Sequence, residues 1–312
     1  MHLPVRILTD REFDVLGFGT NAVDFLITVP RFPDFASKIE LNEYVRAAGG
    51  EIASSMVGMQ RLGARTSYAG TFGDDDAGRF GWLSLEDEGV DLTYSRAVDG
   101  AATQIAFIVI DENSGERTVI WKRDSRLSVP AHDAPVDAVS RCSILHMTPH
   151  DTAACIRLAE SARKAGTVVS LDIDNVFNGI EMLLPLVDIL ITSSEFPKKF
   201  LGISDTKEAL TVLQQRYRNA LVGMTLGERG SAMYCGGEYL ESPGFAVPGG
   251  CKDTTGAGDA FRTGLLYGLL RNKPLEVAAK MANSVAALKC RSVGARTALP
   301  TGAELEAFLK KL

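Results

Sequence analysis

Apolar positions along this chain recur with two different periods, and the periods divide it into regions. Phe13-Asp-Val-Leu-Gly-Phe-Gly19 is a short apolar run ending in glycine, which predicts a buried strand. Phe25-Leu-Ile-Thr-Val29 predicts a second strand, and after Pro30 and Pro33 the run Glu40–Arg46 half alternates. The Gly49-Gly50 pair leads into a helical pattern that reaches Leu62 and stops at Gly63. Arg65–Gly70 is a further short strand, and Phe80, Trp82, Leu83, Leu85 and Val90 then recur at helical spacing. Thr103–Asp111 is strongly strand-like, Asp111–Gly115 supplies turn residues, and Arg117–Trp121 returns as a strand. The strands near 25–48 and 95–125 do not alternate with helices, so they predict a small sheet apart from the main body.

From about residue 135 strand and helix patterns alternate. Ser143–Met147, Thr167–Asp172, Asp188–Thr192 and Ala220–Thr225 read as strands; Thr152–Lys164, Ser194–Leu201 and Lys207–Tyr217 read as helices. Repeated βα units predict a mostly parallel sheet with helices on both faces. Ligands of such sheets gather at the C-terminal strand ends, where Asp172, Asp174, Thr192, Glu195 and Thr225 fall. Ala232–Cys235 and Tyr239-Leu240 predict a hairpin around Gly236-Gly237. Ala260–Leu270, Glu276–Leu288 and Thr301–Leu312 read as the last helices.

Composition narrows the class. A chain of 312 residues with 46% hydrophobic and 23% charged residues has the make-up of a soluble globular protein, in one large domain or two smaller ones. A formal net charge of −6 argues against a broad nucleic-acid surface. Cys142, Cys155, Cys235, Cys251 and Cys290 are scattered with no C-x-x-C pair, which suits a reducing cytoplasm. The first residues are too charged for a signal peptide, and no apolar run is long enough to span a bilayer.

The densest chemistry lies in Asp253-Thr-Thr-Gly-Ala-Gly-Asp259-Ala-Phe261, ahead of an apolar helix. Unpaired N–H groups at a helix start, with glycines that admit close approach, can cradle a phosphate at Gly256, Ala257 and Gly258. Asp259 would stand beside it, able to take a proton from a hydroxyl; it could equally cap the helix while the glycines form a turn. Asp24 could bind a polyol or cap a turn. The acids Asp74-Asp75-Asp76 read as charges of a helix first turn rather than as metal ligands. His146 and His150 are separated by Pro149, which breaks any helix that would align them. Gly17-Phe-Gly19-Thr-Asn-Ala does not complete a dinucleotide fingerprint, and no Gly-Lys-Ser/Thr of a P-loop occurs.

The Asp253–Phe261 stretch with Gly264 closely resembles the C-terminal motif of the ribokinase-like (PfkB-type) carbohydrate kinases, and the resemblance extends from about Asp14 to Leu312. It implies a three-layer α/β/α fold, with a mostly parallel central sheet and a small β lid formed by roughly 25–48 and 95–125, as one kinase domain over 1–312. It implies that Asp259 is the catalytic base and Gly256, Ala257 and Gly258 the anion hole. Asp24, Gly49, Gly50 and Ser54 would hold the sugar, although the family commonly has Asn where Ser54 stands, and a basic or amide residue at Glu51. Thr225-Leu-Gly227-Glu-Arg-Gly230 resembles the nucleotide turn, and Asn283 the residue beside the adenine; a plain strand–turn–strand also fits the former. Glu195, in a motif whose Asn is here Thr192, would organise Mg2+ through water. Asp253 and Thr255 would hold a monovalent cation, K+. Arg117 in Asn113-Ser-Gly-Glu-Arg-Thr118 resembles the ketohexokinase branch, where it approaches phosphate; an exposed strand arginine is the alternative. Phe200–Leu210 leans to the same branch.

The expectation is an ATP-dependent kinase acting on a primary hydroxyl of a small sugar, a ketohexose or modified hexose first. A nucleoside kinase of the same fold, or a silent sugar or nucleotide sensor, are the rivals. A homodimer through the lid, and no nucleic-acid or membrane partner, complete the expectation.

Overall fold

The computed structural model describes residues 1–312. In chain order the strands are β1 Phe13–Phe18, β2 Ala22–Val29, β3 Glu43–Gly49, β4 Thr66–Ala69, β5 Thr71–Gly73, β6 Arg96–Val98, β7 Ile105–Asp111 and β8 Arg117–Lys122. They continue with β9 Cys142–Met147, β10 Val168–Ile173, β11 Ile189–Ser193, β12 Leu221–Thr225, β13 Ser231–Cys235 and β14 Glu238–Ser242. The helices are α1 Glu51–Arg61, α2 Asp76–Glu86, α3 Val136–Val139, α4 Thr152–Ala165, α5 Ile180–Leu183, α6 Glu195–Leu201, α7 Thr206–Tyr217, α8 Ala257–Leu270, α9 Leu275–Lys289 and α10 Gly302–Leu309.

Eight strands form the central sheet in the order β14-β13-β12-β11-β10-β9-β1-β4. All pairs from β12 through to β4 are parallel; β12–β13 and β13–β14 are the antiparallel hairpin turns. The strands are apolar on both sides because successive side chains enter different layers. Val15, Ile144, Val168, Ile189 and Leu221 point to one face and pack under α1, α8, α9 and α10. Their sequence neighbours Leu16, Leu145, Val169, Leu190 and Val222 point to the other, under α3, α4, α5 and α7. The expected three layers are present. No helix is long and apolar enough to cross a membrane.

The second sheet has the order β3-β2-β7-β8. Leu26, Ala106, Ile108 and Ile110 form its buried face with Val45, Ala47 and Val293. Its other face is apolar as well. Phe25 stacks on Phe107 with ring centroids 5.1 Å apart; Phe107, Ile120 and Tyr44 are exposed. Arg96–Val98 pairs with Thr71–Gly73 in a two-stranded sheet of its own. Three-residue strands carry too little periodicity to be seen in a sequence.

The acidic run before α2 serves as a cap and a staple. Asp75 Oδ1 accepts the Gly78 N–H at 2.8 Å, and Oδ2 accepts the Thr103 N–H at 3.0 Å, tying the helix start to the approach to β7. His146 is fully buried with Nδ1 3.1 Å from the Ser170 hydroxyl, and burial pushes its pKa down to about 3.

Candidate functional site

The site begins where two helices start. Ser55 Oγ lies 3.4 Å from the Asp259 carbonyl, and Thr263 Oγ1 lies 3.4 Å from the Ser55 carbonyl. A methyl group on Gly58 would press on Thr263 at 2.8 Å. Residues 55 and 58 of α1 thus meet 259 and 263 of α8 in the same order, so the helices run parallel with their N-termini together. The Ala53 N–H bonded to the Thr20 carbonyl puts those N-termini at the C-terminal end of β1. Two helix dipoles there present their positive ends to one place.

At the α8 start Gly256 has φ 75°, and an added Cβ would sit 2.9 Å from that of Ala295, so a side chain is excluded both by conformation and by space. The Ala257 N–H donates to the Thr254 carbonyl at 3.1 Å, whereas the N–H groups of Gly256, Gly258 and Asp259 have no acceptor in the chain. The free amides of this turn are therefore those three, and Ala257 is spent on forming it. Under the turn, Arg262 makes a buried ion pair with Asp172, and a methyl on Gly258 would strike its Nη1.

Asp259 lies in the first turn of α8. Burial, and the nearby Glu51 carboxylate, push its pKa up to about 7 against the opposing pull of Arg262 and Arg117. Asp172 is raised to about 7 by burial, although Arg262 lowers it. Glu51 is raised to about 8 by burial, with Asp172 and Asp174 adding to the effect. Arg117, on the lid strand β8, donates to Thr254 Oγ1 at 2.7 Å, which itself lies 3.2 Å from the Gly115 carbonyl. The lid thereby touches the body next to the turn.

Asp24, on β2 of the second sheet, is 4% exposed; burial lifts its pKa to about 6 while Arg296 lowers it. Any side chain on Gly49 would land on the Asp24 carboxylate, and one on Gly50, at φ 90°, would strike the Asn21 backbone. Ser54 is buried and accepts from Arg296 Nε at 3.2 Å. Arg296 also donates to Ser84 Oγ at 3.0 Å and to the Gly49 carbonyl. It was not anticipated, because it lies in an irregular segment whose side-chain directions no period reveals. Across the lid sheet Asp24 pairs with Ala106, and Ala106 with Trp121, so all three share the inner face. Trp121 is 57% exposed there.

The remaining expected residues occupy the sheet's far half and the α8–α9 junction. Thr225 ends β12, with its hydroxyl 3.5 Å from the Thr192 carbonyl. Gly227, at φ 62°, has open space around it, whereas any side chain on Gly230 would meet the Ser242 carbonyl. Asn283 uses its amide on Ser231 Oγ at 3.3 Å and on Ser242 Oγ at 3.0 Å, pinning α9 to the β13–β14 hairpin. Glu195 is half exposed and paired with Lys198 at 2.7 Å. Asp253 is fully buried; its Oδ1 accepts the Thr255 N–H at 2.7 Å and its Oδ2 the Gly294 N–H at 2.8 Å. The Thr255 hydroxyl is buried without a partner.

No three His, Cys, Asp or Glu side chains converge as a metal cage. Mg2+ bound with phosphates needs only one or two carboxylates. Asp172 is taken up by Arg262, and the neighbouring carboxylates of Glu51 and Asp174 are the ones that fit that need.

The model of the pfkB family of carbohydrate kinases matches residues 13–302. Fructokinase-1 of Zea mays is 28% identical over 323 residues, spanning 95% of this chain and 98% of that protein. A fructokinase of Klebsiella pneumoniae is 31% identical over 288 residues, spanning 85% and 92%, and a nucleoside kinase of Methanothermobacter thermautotrophicus is 26% identical over 310 residues, spanning 95% of each. Among solved structures, a candidate ribokinase of Agrobacterium tumefaciens superposes with a TM-score of 0.88 at 24% identity, over 96% of this chain and 98% of that one. The ribokinase of Arabidopsis thaliana, complexed with ribose and ATP, superposes with a TM-score of 0.81 at 23% identity, over 96% and 99%. The chain belongs to the pfkB family of carbohydrate kinases and is a sugar or nucleoside kinase of that family.

Proposed function

We propose that this kinase moves the γ-phosphoryl group of ATP to a primary hydroxyl of a small sugar, a ketohexose or modified hexose first. The observation that carries the reading is Asp259 at the joint start of α1 and α8, with its pKa raised to about 7 by burial and Glu51. A base poised near the working pH is effective without being permanently protonated. Asp259 takes the hydroxyl proton, the oxygen attacks the γ-phosphorus in line, and the bond to the ADP oxygen breaks. The free amides of Gly256, Gly258 and Asp259, with Arg117 from the lid, stabilise the charge on the transferring group.

Mg2+ would be held by carboxylates drawn from Glu51 and Asp174, with Glu195 acting through water, and would neutralise phosphate charge. Asp24 orients the sugar hydroxyls, with Gly49 and Gly50 giving it room. Ser54 acts through Arg296. Thr225, Gly227 and Gly230 line the nucleotide, and Asn283 supports that wall from behind. The whole of 1–312 works as one kinase unit, with β2, β3, β7 and β8 as its lid. The exposed Phe107, Ile120 and Tyr44 suit pairing of two lids in a homodimer.

The relative that is a nucleoside kinase favours nucleosides as the second acceptor class. ADP release with MgATP across ketohexoses, aldohexoses, pentoses, sugar acids, sugar phosphates and nucleosides tests both. Turnover on a ketohexose supports the reading; turnover on nucleosides alone replaces it.

A further inference from the structure

The motif that resembles a monovalent-cation site already holds a cation. Lys289, the last residue of α9, is fully buried, as is Asp253. Its Nζ donates to the Asp253 carbonyl at 2.8 Å and lies 3.6 Å from Asp253 Oδ2. Burying an ammonium group in a chain is costly unless it is paired, and here the partner is the first acid of the phosphate-cradle motif. Burial pulls the lysine pKa down and Asp253 pulls it back up.

This pair is built into the cradle itself. Asp253 Oδ1 takes the N–H of Thr255, the residue before Gly256, and Oδ2 takes the N–H of Gly294. Ala295, next in sequence, packs on Gly256, and Arg296 then reaches Ser54 and Gly49 at the sugar end. One carboxylate thus fixes the turn that offers the free amides and the segment that carries Arg296. A positive charge against that carboxylate is what a bound K+ would provide. A K+ ion does not fit beside the ammonium, since two cations would share one carboxylate and one carbonyl.

We propose that the Lys289 ammonium replaces a monovalent cation as the positioning charge under the phosphate cradle, so that this kinase works without K+. The inference rests on the reading of Gly256–Asp259 as that cradle. Lys289 touches no reacting atom and acts through Asp253. Removing the ammonium while keeping the stem, as in Lys289→Met, opens a space beside the Asp253 carbonyl and carboxylate, both oxygen donors for a hard cation.

The test measures the chain in KCl and in tetramethylammonium chloride at equal ionic strength, by ADP release and by thermal melting. The intact kinase is expected to turn over and melt alike in both salts. Lys289→Met is expected to lose about 10²-fold in kcat, the scale of a misplaced reacting group, and to regain at least about a tenth of it with K+ or NH4+. Its melting temperature should rise in KCl only. Saturable K+ activation or K+-specific stabilisation of the intact chain would overturn the proposal, as would a Lys289→Met variant that neither KCl nor NH4Cl restores. Lys289→Gln serves if Lys289→Met does not fold, and the salt comparison on the intact chain needs no variant. The melting arm needs no acceptor, so it decides the point even if every acceptor fails.

Discussion

Asp259→Asn should disable this kinase and stabilise it at once. The variant keeps the shape of the side chain and removes the ionisable group. As the proposed general base, Asp259 should account for about 10²-fold or more of kcat. The stability effect follows from its pKa, raised to about 7 from the ordinary 3.8. A group whose pKa is raised on folding holds its proton in the native state after the unfolded chain has released it. Its stabilising contribution is complete below pH 3.8 and is lost as pH rises to about 7. The full shift would be worth roughly 4 kcal/mol at 1.36 kcal/mol per unit. Asp259 retains some access to solvent, so about 2 kcal/mol is the working figure after screening. For a chain of this size that corresponds to about 4 °C in melting temperature. Melting of the ligand-free protein should therefore be about 4 °C higher for Asp259→Asn at pH 8, with a smaller gap at pH 5. The kcat/KM of the unaltered enzyme should fall below pH 7 with a slope of one. A gap that is equal at both pH values, or near-normal turnover of the variant, would refute the reasoning.

Gly49→Ala should move the Asp24 carboxylate and raise the sugar KM by about 10-fold or more while the ATP KM holds, a split that steady-state kinetics with each substrate varied will read. Trp121→Ala should raise the sugar KM about 3–10-fold, the value of one aromatic contact, with melting unchanged because the ring is exposed. Light scattering should find a dimer that Phe107→Glu with Ile120→Glu converts to monomer, since two buried unpaired charges would oppose lid pairing.

Much of this fold could be read in the sequence because its strands are either strictly apolar or bounded by glycine, and its helices are long enough to show a period. Asp24, Gly49, Arg117 and Asp259 were expected from motifs; Gly49 lies against the Asp24 carboxylate, and Arg117 reaches Thr254, just ahead of the turn that leads to Asp259. Arg262 could have been found: it follows Asp259 by three residues and so shares its helix face. Lys289 could not. A lysine in the last turn of an apolar helix reads as a solvated charge at the negative dipole end, and only the packing of Asp253 beneath it shows the burial. Glu51 stands where the resemblance leads one to expect a basic or amide residue. Burial and its neighbours Asp172 and Asp174 raise its pKa, so that it holds its proton more readily than an ordinary glutamate does.

The pairing of α1 with α8 also governs when the enzyme comes into being. One side of the central sheet is sealed almost wholly by residues 129–232, a contiguous stretch. The opposite side needs α1 near the start and α8, α9 and α10 near the end. During synthesis the first side can close while the second has only α1 laid on β1 and β4, since α8 to α10 follow from residue 257 onward. Such long-range closure is slow. Shortening the chain ahead of α8 would strip away a layer of the core together with the proposed phosphate cradle.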